Sequence, residues 1–240
     1  EVRQFLKSVW KNTYRIYEAK NGKEGIEKAL EIVPDLIISD IRMPICDGIA
    51  LCNRLKTDER TSHIPIILLT AGTDEEQELK GLRSGADDFV TKPFKLQILR
   101  TRVDNLIESR KTLRNRYSQE LVLQAKDIAV TPTDAVFLNR LQQVLDGHLA
   151  DSEFNGATFC KELGMSRMQL HRKLQAYTGL STTEFIRSQR LKRAVGILET
   201  SDASVSEVAY TVGFNTPSYF IKCFREAYNK TPSEYQQSVE

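Results

Sequence analysis

Two apolar runs constrain this 240-residue chain more than any other feature: "LIIS" at 36–39 and "IPIILL" at 64–69. Neither alternates apolar with polar residues. A strand built from either is covered on both faces, as in a parallel sheet inside an α/β layer fold. Helical spacing surrounds them. Val2, Phe5, Leu6 and Val9 recur at helix period. The strings "GKEGIEKALEI" (22–32), "GIALCNRLKTD" (48–58), "DEEQELKGLRSG" (74–85) and "FKLQILRTRVDNLIES" (94–109) are amphipathic helices. The spacing also predicts strands at "RIYEA" (15–19), "DLIISDI" (35–41), "IPIILLTAG" (64–72) and "DDFVTKP" (87–93).

In parallel sheets, ligands bind beyond the C-terminal ends of the strands. Three polar side chains fall there: Asp40, Thr70 and Lys92. A carboxylate can attack phosphorus to give an aspartyl phosphate. The charge that develops on the phosphoryl oxygens calls for a fixed cation and a hydroxyl donor. Taken singly, such an Asp is more often a turn or cap residue, the Thr a β-former, and the Lys a solvated turn. Their occurrence on successive strands favours chemistry.

These segments carry a resemblance. "LIISDIRMPICDG", "IPIILLTAG" and "GADDFVTKPF" look like the signature segments of a response-regulator receiver domain, covering residues 1–107. The resemblance implies Asp40 as phosphoacceptor, Thr70 as the hydroxyl that follows the phosphoryl group, and Lys92 as the stabilising cation before a cis Pro93. Phe89 takes the aromatic switch position; as a core residue of the last strand it is equally well explained. The family cofactor is Mg²⁺, held by Asp40, the Arg42 backbone carbonyl and a pair of acids at the end of a first strand. That strand and that acid pair are absent from this sequence, so the expectation is a weak or absent metal site and a natural polypeptide extending upstream. In related regulators the activated receiver pairs through its fourth helix, last strand and last helix. Asp88 and Arg102 match a charge pair of that homodimer face. Ile98 replaces an acid opposite Lys80.

The second half is helical. Residues 108–130 form a linker, basic at first, whose start extends the preceding helix. "DAVFLNRLQQVLDGHLAD" (134–151) is an amphipathic helix. An internal repeat follows. Leu163-Gly164-Met165 leads to Leu170 and Leu174; Val212-Gly213-Phe214 leads to Phe220 and Phe224. Cys160 and Ala209 stand four residues before each glycine. A helix-turn-helix needs this set: a small residue at the crossing, a glycine in the turn and apolar anchors on the second helix. A plain helical hairpin explains one copy about as well, but two copies around one connecting helix much less well.

From 131 to 240 basic and acidic residues are equal in number, so any nucleic-acid surface must come from local clustering. Arg167, Arg172 and Lys173 cluster on one helix, Arg187, Arg190, Lys192 and Arg193 on the connecting helix, and Lys222 and Arg225 on the last. The strings "ELGMSRMQLHRKLQAYTG" and "GFNTPSYFIKCFREAYNKTPSEYQ" are similar to the two motifs of the AraC-type DNA-binding domain, over 131–240. By that resemblance Met168, His171 and Arg172 face the major groove from the first recognition helix. Pro217, Ser218, Ile221 and Lys222 face it from the second, with Arg167 and Lys173 beside the first.

The four cysteines lack metal-ligand spacing, and no apolar run reaches membrane length. The reading is an α/β receiver followed by an all-α domain with two helix-turn-helix motifs. It implies a non-enzymatic, phosphorylation-controlled transcription regulator, cytoplasmic or at the cytoplasmic end of an inner-membrane protein. Its implied partners are double-stranded DNA, RNA polymerase and a histidine kinase, which in a hybrid system shares the polypeptide. The rival is a phosphotransfer receiver whose helical half docks a protein.

Overall fold

The computed structural model describes residues 2–71, 84–119 and 131–238, with only the backbone at 113–119. The chain divides into two compact units, Glu1–Glu108 and Ser109–Glu240.

In the first unit, α1 (Val2–Trp10), α2 (Gly22–Ile32), β1 (Ile37–Asp40), α3 (Gly48–Thr57), β2 (Ile66–Thr70), β3 (Asp88–Thr91) and the first part of α4 (Leu96–Gln119) follow in order. The strands form a parallel sheet in the order β1-β2-β3. Asp40 stands beside Leu69, and Thr70 beside Thr91. Side chains alternate across the sheet, so Ile66 and Leu68 meet Ala29 of α2 and Leu51, Cys52 and Leu55 of α3. Ile67 and Leu69 face the other way, onto Trp10 of α1 and Leu99 and Val103 of α4. Both faces of β2 are thereby covered, and all five of its residues are buried.

The helices begin where local chemistry directs. Asn21 caps α2 by accepting from the Glu24 N–H, and Asp47 caps α3 by accepting from Ala50. One expected strand is absent, one helix boundary shifts, and one expected helix lies outside the described residues. Residues 15–19 are not a strand: no strand lies beside them among the described residues, and a ladder requires a partner. Side chains serve their carbonyls instead, Arg3 bonding Ala19 O and Lys28 bonding Glu18 O. The helix expected from 94 starts at Leu96 and runs to Gln119, extending into the start of the linker as expected. The helix expected at 74–85 lies outside the described residues for nearly all its length, and with it Lys80.

The second unit contains α5 (Pro132–His148), α6 (Gly156–Glu162), α7 (Arg167–Thr178), α8 (Thr182–Thr200), α9 (Val205–Thr211), α10 (Pro217–Tyr228) and α11 (Pro232–Gln237). The sequence reading did not separate α11. It has two cores. Phe137, Leu141 and Leu145 of α5 pack with Phe159, Leu170, Leu174 and the start of α8, Phe185 and Ile186. Further along α8, Leu191, Ala194 and Leu198 pack with Val208, Phe214, Phe220 and Phe224. Burying one such phenylalanine stabilises by about 1.5–3 kcal/mol. The long helix α8 therefore belongs to both cores, one at each end. No helix among the described residues is long and apolar enough to cross a membrane.

Candidate functional site

The sheet register brings three strand ends together. Asp40 closes β1, Thr70 closes β2, and Lys92 follows β3, its backbone N–H bonding Thr70 O at 2.7 Å. The Lys92 ammonium reaches across and forms an ion pair with Asp40 Oδ2. Asp40 Oδ1 accepts from the Arg42 N–H at 3.3 Å. The Lys92–Pro93 peptide is cis, as the resemblance implies. The carboxylate remains open to solvent, with 39% of its side chain exposed, while Thr70 is buried. The chain between β1 and α3 doubles back, and the Gly48 N–H bonds Ile41 O at 2.9 Å. A Cβ at Gly48 would strike the Asp40 carbonyl. That glycine lets the backbone fold tightly beneath the carboxylate.

Phe89 is half-buried and packs on the α2/α3 side of the sheet. Asp88 Oδ1 pairs with Arg102 of the same chain and also accepts from the Phe89 N–H at 2.7 Å. Hydrogen bonding to Asp88 raises the Arg102 pKa further. Ile98 is exposed, at 48%. Asp40 and the Arg42 carbonyl are two oxygen donors. Among the described residues, no group of three or more His, Cys, Asp or Glu side chains could hold a metal. Mg²⁺ takes a near-octahedral oxygen shell completed in part by water, and among the described residues Asp40 and the Arg42 carbonyl would supply two of its positions.

The repeat in the second unit is a repeat of hydrogen bonds as well as residues. Met165 N–H bonds Cys160 O at 3.0 Å, and Phe214 N–H bonds Ala209 O at 2.9 Å. Gly164 bonds Lys161 O at 3.1 Å, and Gly213 bonds Tyr210 O at 3.0 Å. Both glycines are left-handed, with φ of 61° and 86°. Each turn then delivers a capped helix. Ser166 and Gln169 form a reciprocal capping box on α7. Thr216 caps α10, with Pro217 in its first turn.

On α7, Arg167 and Met168 are exposed, and His171 and Arg172 are half-buried. On α10, Ser218, Ile221 and Lys222 are exposed and Pro217 is half-buried. Lys222 lies 4.0 Å from Glu226, a loose surface pair. Two expectations need correction. Lys173 is fully buried and cannot reach a groove. Its ammonium is 3.4 Å from Asp134 Oδ1 and 4.3 Å from the centre of the Phe137 ring. The physical reason is helical phase: Leu170, Lys173, Leu174 and Tyr177 lie on one inward stripe. Arg190 also faces inward, bonding the carbonyls of Leu149, Asp151 and Phe154.

Tyr219 was missed. It is 50% exposed, one turn before Lys222, and its hydroxyl lies 3.3 Å from the Arg187 guanidinium of α8. An exposed tyrosine beside an arginine is a readable signal once the helix phase is fixed. His171 lies close enough to help hold the Glu184 carboxyl below its ordinary range, after the larger effects of hydrogen bonds from Ser181 and the charge of Arg187.

Comparison with known proteins agrees with this division. A family model for the response regulator receiver domain matches residues 1–104, and one for a helix-turn-helix domain matches residues 159–238. A relative called histidine kinase P4, from Formosa agariphila, is 39% identical over 235 residues. The alignment takes in 98% of this chain but only 17% of that protein, so the chain spans about a sixth of its length. The crystal structure of the signal receiver domain of a signal transduction histidine kinase from Syntrophus aciditrophicus is 36% identical. It covers 52% of this chain and 90% of its own, with a TM-score of 0.44. A DNA-binding transcriptional dual regulator from Escherichia coli K-12 is 31% identical, covering 46% of this chain and 96% of its own, with a TM-score of 0.40. With both family models matched in sequence order, the chain carries a response regulator receiver domain over residues 1–104 followed by a helix-turn-helix domain over residues 159–238.

Proposed function

We propose that this chain is the output end of a two-component system, in which a phosphoryl group on Asp40 controls sequence-specific binding of duplex DNA. The receiver would span 1–107, the connector 108–130 and the reader 131–240. The duplicated helix-turn-helix, with the same turn hydrogen bonds in both copies, is the observation that carries the reading.

In the receiver, an Asp40 oxygen attacks the phosphorus of a phosphodonor. The new O–P bond forms as the bond to the donor's leaving group breaks, and that group departs with its electron pair. Lys92, already paired with Asp40, would turn its charge to the phosphoryl oxygens. Thr70, at the end of the adjacent strand, is the proposed hydroxyl donor, and Phe89 the aromatic that follows it. In the reader, Met168, His171 and Arg172 on α7, and Pro217, Ser218, Ile221 and Lys222 on α10, are the proposed groove-facing set. Arg167 and Tyr219 flank it. Pro217 and Ile221 can read only shape and thymine methyl groups, so hydrogen-bonded base readout falls to Arg172, His171, Ser218 and Lys222, the last through a base or a phosphate.

A histidine kinase is the proposed donor. We place the chain at the C-terminal end of a hybrid kinase and regulator, on the cytoplasmic side; the hybrid origin is supported by its alignment, over nearly its whole length, with part of a protein called a histidine kinase. Pairing of two receivers, and a contact with RNA polymerase, belong to the same proposal.

Two measurements test it. A gel shift on DNA from the protein's own promoter region should show sequence-specific binding that weakens steeply with salt. Its absence would favour a helical docking module in place of a reader. Treatment with a small phosphodonor and Mg²⁺ should add mass at Asp40 slowly or not at all. Labelling that survives Asp40→Asn would show that another residue is the nucleophile.

A further inference from the structure

The two helix-turn-helix turns differ in what lies against their glycines. A Cβ on Gly164 would meet nothing within 4 Å. A Cβ on Gly213 would strike the Leu149 carbonyl oxygen and come within 3.0 Å of Arg190 Nε and 3.2 Å of the Ala150 carbonyl carbon. Leu149 closes α5, the opening helix of the first core. The turn of the second motif is therefore seated on the end of the first motif's supporting helix.

Arg190 completes this joint. It stands on α8 between Ile186, the last residue of that helix in the first core, and Leu191, the first in the second core. Its Nε donates to Leu149 O at 3.1 Å, and its Nη2 donates to Asp151 O at 2.7 Å and Phe154 O at 3.2 Å. A guanidinium is a rigid fork of donors, suited to holding several carbonyls in fixed relation. Burial disfavours its charged form and lowers its pKa, a cost offset by three acceptors. Each motif has its own apolar core.

We infer that Arg190 is a positioning residue for DNA recognition: it locks the second helix-turn-helix onto the first and so sets the half-site spacing that the protein accepts. This rests on the DNA-reading function proposed above. Two linked sites reinforce each other only when the linkage holds them at the span of the target. A loosened joint would leave each recognition helix competent and remove their coupling.

The test uses the whole chain and duplexes that it selects from a random-sequence library. Affinity is measured for the selected site, for the site with either half scrambled, and for the site with one base pair inserted between halves. Arg190→Met should hold half-site affinity near the parent's, weaken full-site binding about tenfold, and shrink the penalty of the insertion. Arg190→Lys keeps the charge but not the fork, and should behave like Arg190→Met. An unchanged insertion penalty in both variants would overturn the inference. So would recovery of full-site binding by Arg190→Lys, which marks a phosphate contact. If Arg190→Met fails to fold by circular dichroism, the insertion penalty of Arg190→Lys decides. If the parent chain selects no sequence, the DNA-reading function fails and this inference with it; a parent that selects a site and variants that match it overturn the inference alone.

Discussion

The Lys173 ammonium lies 3.4 Å from the Asp134 carboxylate, both fully buried, although Lys173 sits on the helix that carries the first set of proposed groove-facing residues. Asp134 also accepts from the Tyr177 hydroxyl at 2.5 Å, and its carboxylate closes the capping box that starts α5. One acid thus joins the start of α5 to the inner side of α7. Burial, then the Asp134 charge, pushes the Tyr177 phenol well above its ordinary pKa, so Tyr177 stays a donor. Removing one member of a buried pair strands the other. Lys173→Ala should cost about 3–5 kcal/mol in urea unfolding. The double change Lys173→Met with Asp134→Asn should cost far less, because it removes both charges and keeps a cap. Equal losses in the two variants would show that packing, not charge, sets the cost.

The two turn glycines should differ in the same assay. Gly164→Ala carries only the left-handed backbone penalty, about 1–2 kcal/mol. Gly213→Ala adds a collision with the Leu149 backbone. The expected outcome is a clearly larger fall in thermal midpoint for Gly213→Ala. Matching falls would mean that the joint at Leu149 yields freely.

Much of this architecture was legible because its signals are local. The helix Gly22–Ile32 coincides with its apolar period, since Asn21 caps it and Val33 ends it in a left-handed turn. The duplicated turns were readable because glycine, small residue and anchors repeat at nearly fixed spacing. The positions of Asp40, Thr70 and Lys92 at strand ends were legible because those ends are marked by the change from apolar to polar. What failed was not local. Lysine is almost never fully buried unless paired, and its partner Asp134 is 39 residues away. A signal was nevertheless present: in the repeat, Lys173 falls in register with Cys223, which is also buried. Arg190 misled in the same way, its acceptors lying 36 to 41 residues away. Residues 15–19 have strand-like composition, but composition cannot supply the neighbouring strand that a ladder requires.

Acid should weaken the second unit through its helix starts. The Glu207 carboxyl is held below its ordinary pKa by hydrogen bonds from the Ser204 hydroxyl and backbone, and Glu184 and Glu234 are lowered similarly at α8 and α11. A folded-state pKa below the unfolded one gives stability that is complete above about pH 4.3 and lost as pH falls through the lowered value. Glu207→Gln keeps an acceptor but does not titrate. Its thermal midpoint should therefore fall less than the parent's between neutral and acidic pH; parallel falls would exclude Glu207 as a contributor.

The receiver face carrying Asp88, Arg102 and Ile98 should show in self-association. The Asp88–Arg102 pair is closed within one chain, and Ile98, one turn before Arg102 on α4, adds an exposed apolar side chain. Any pairing through this face should be weak before phosphorylation and little affected by salt. Arg102→Glu breaks the ion pair and sets two acids together, so sedimentation should show reduced association of the phosphorylated chain. Association equal to the parent's would remove this face from consideration.

The most direct test of the account is a hydroxyl-radical footprint on a duplex selected by the protein. Two recognition helices held on one rigid reader should protect two patches on the same DNA face, about one helical turn or 34 Å apart. Arg172→Ala should weaken binding by about 1–3 kcal/mol and fade one patch. Lys222→Ala should fade the other. Protection of a single patch, or uniform protection that neither substitution alters, would contradict the claim that α7 and α10 read DNA together.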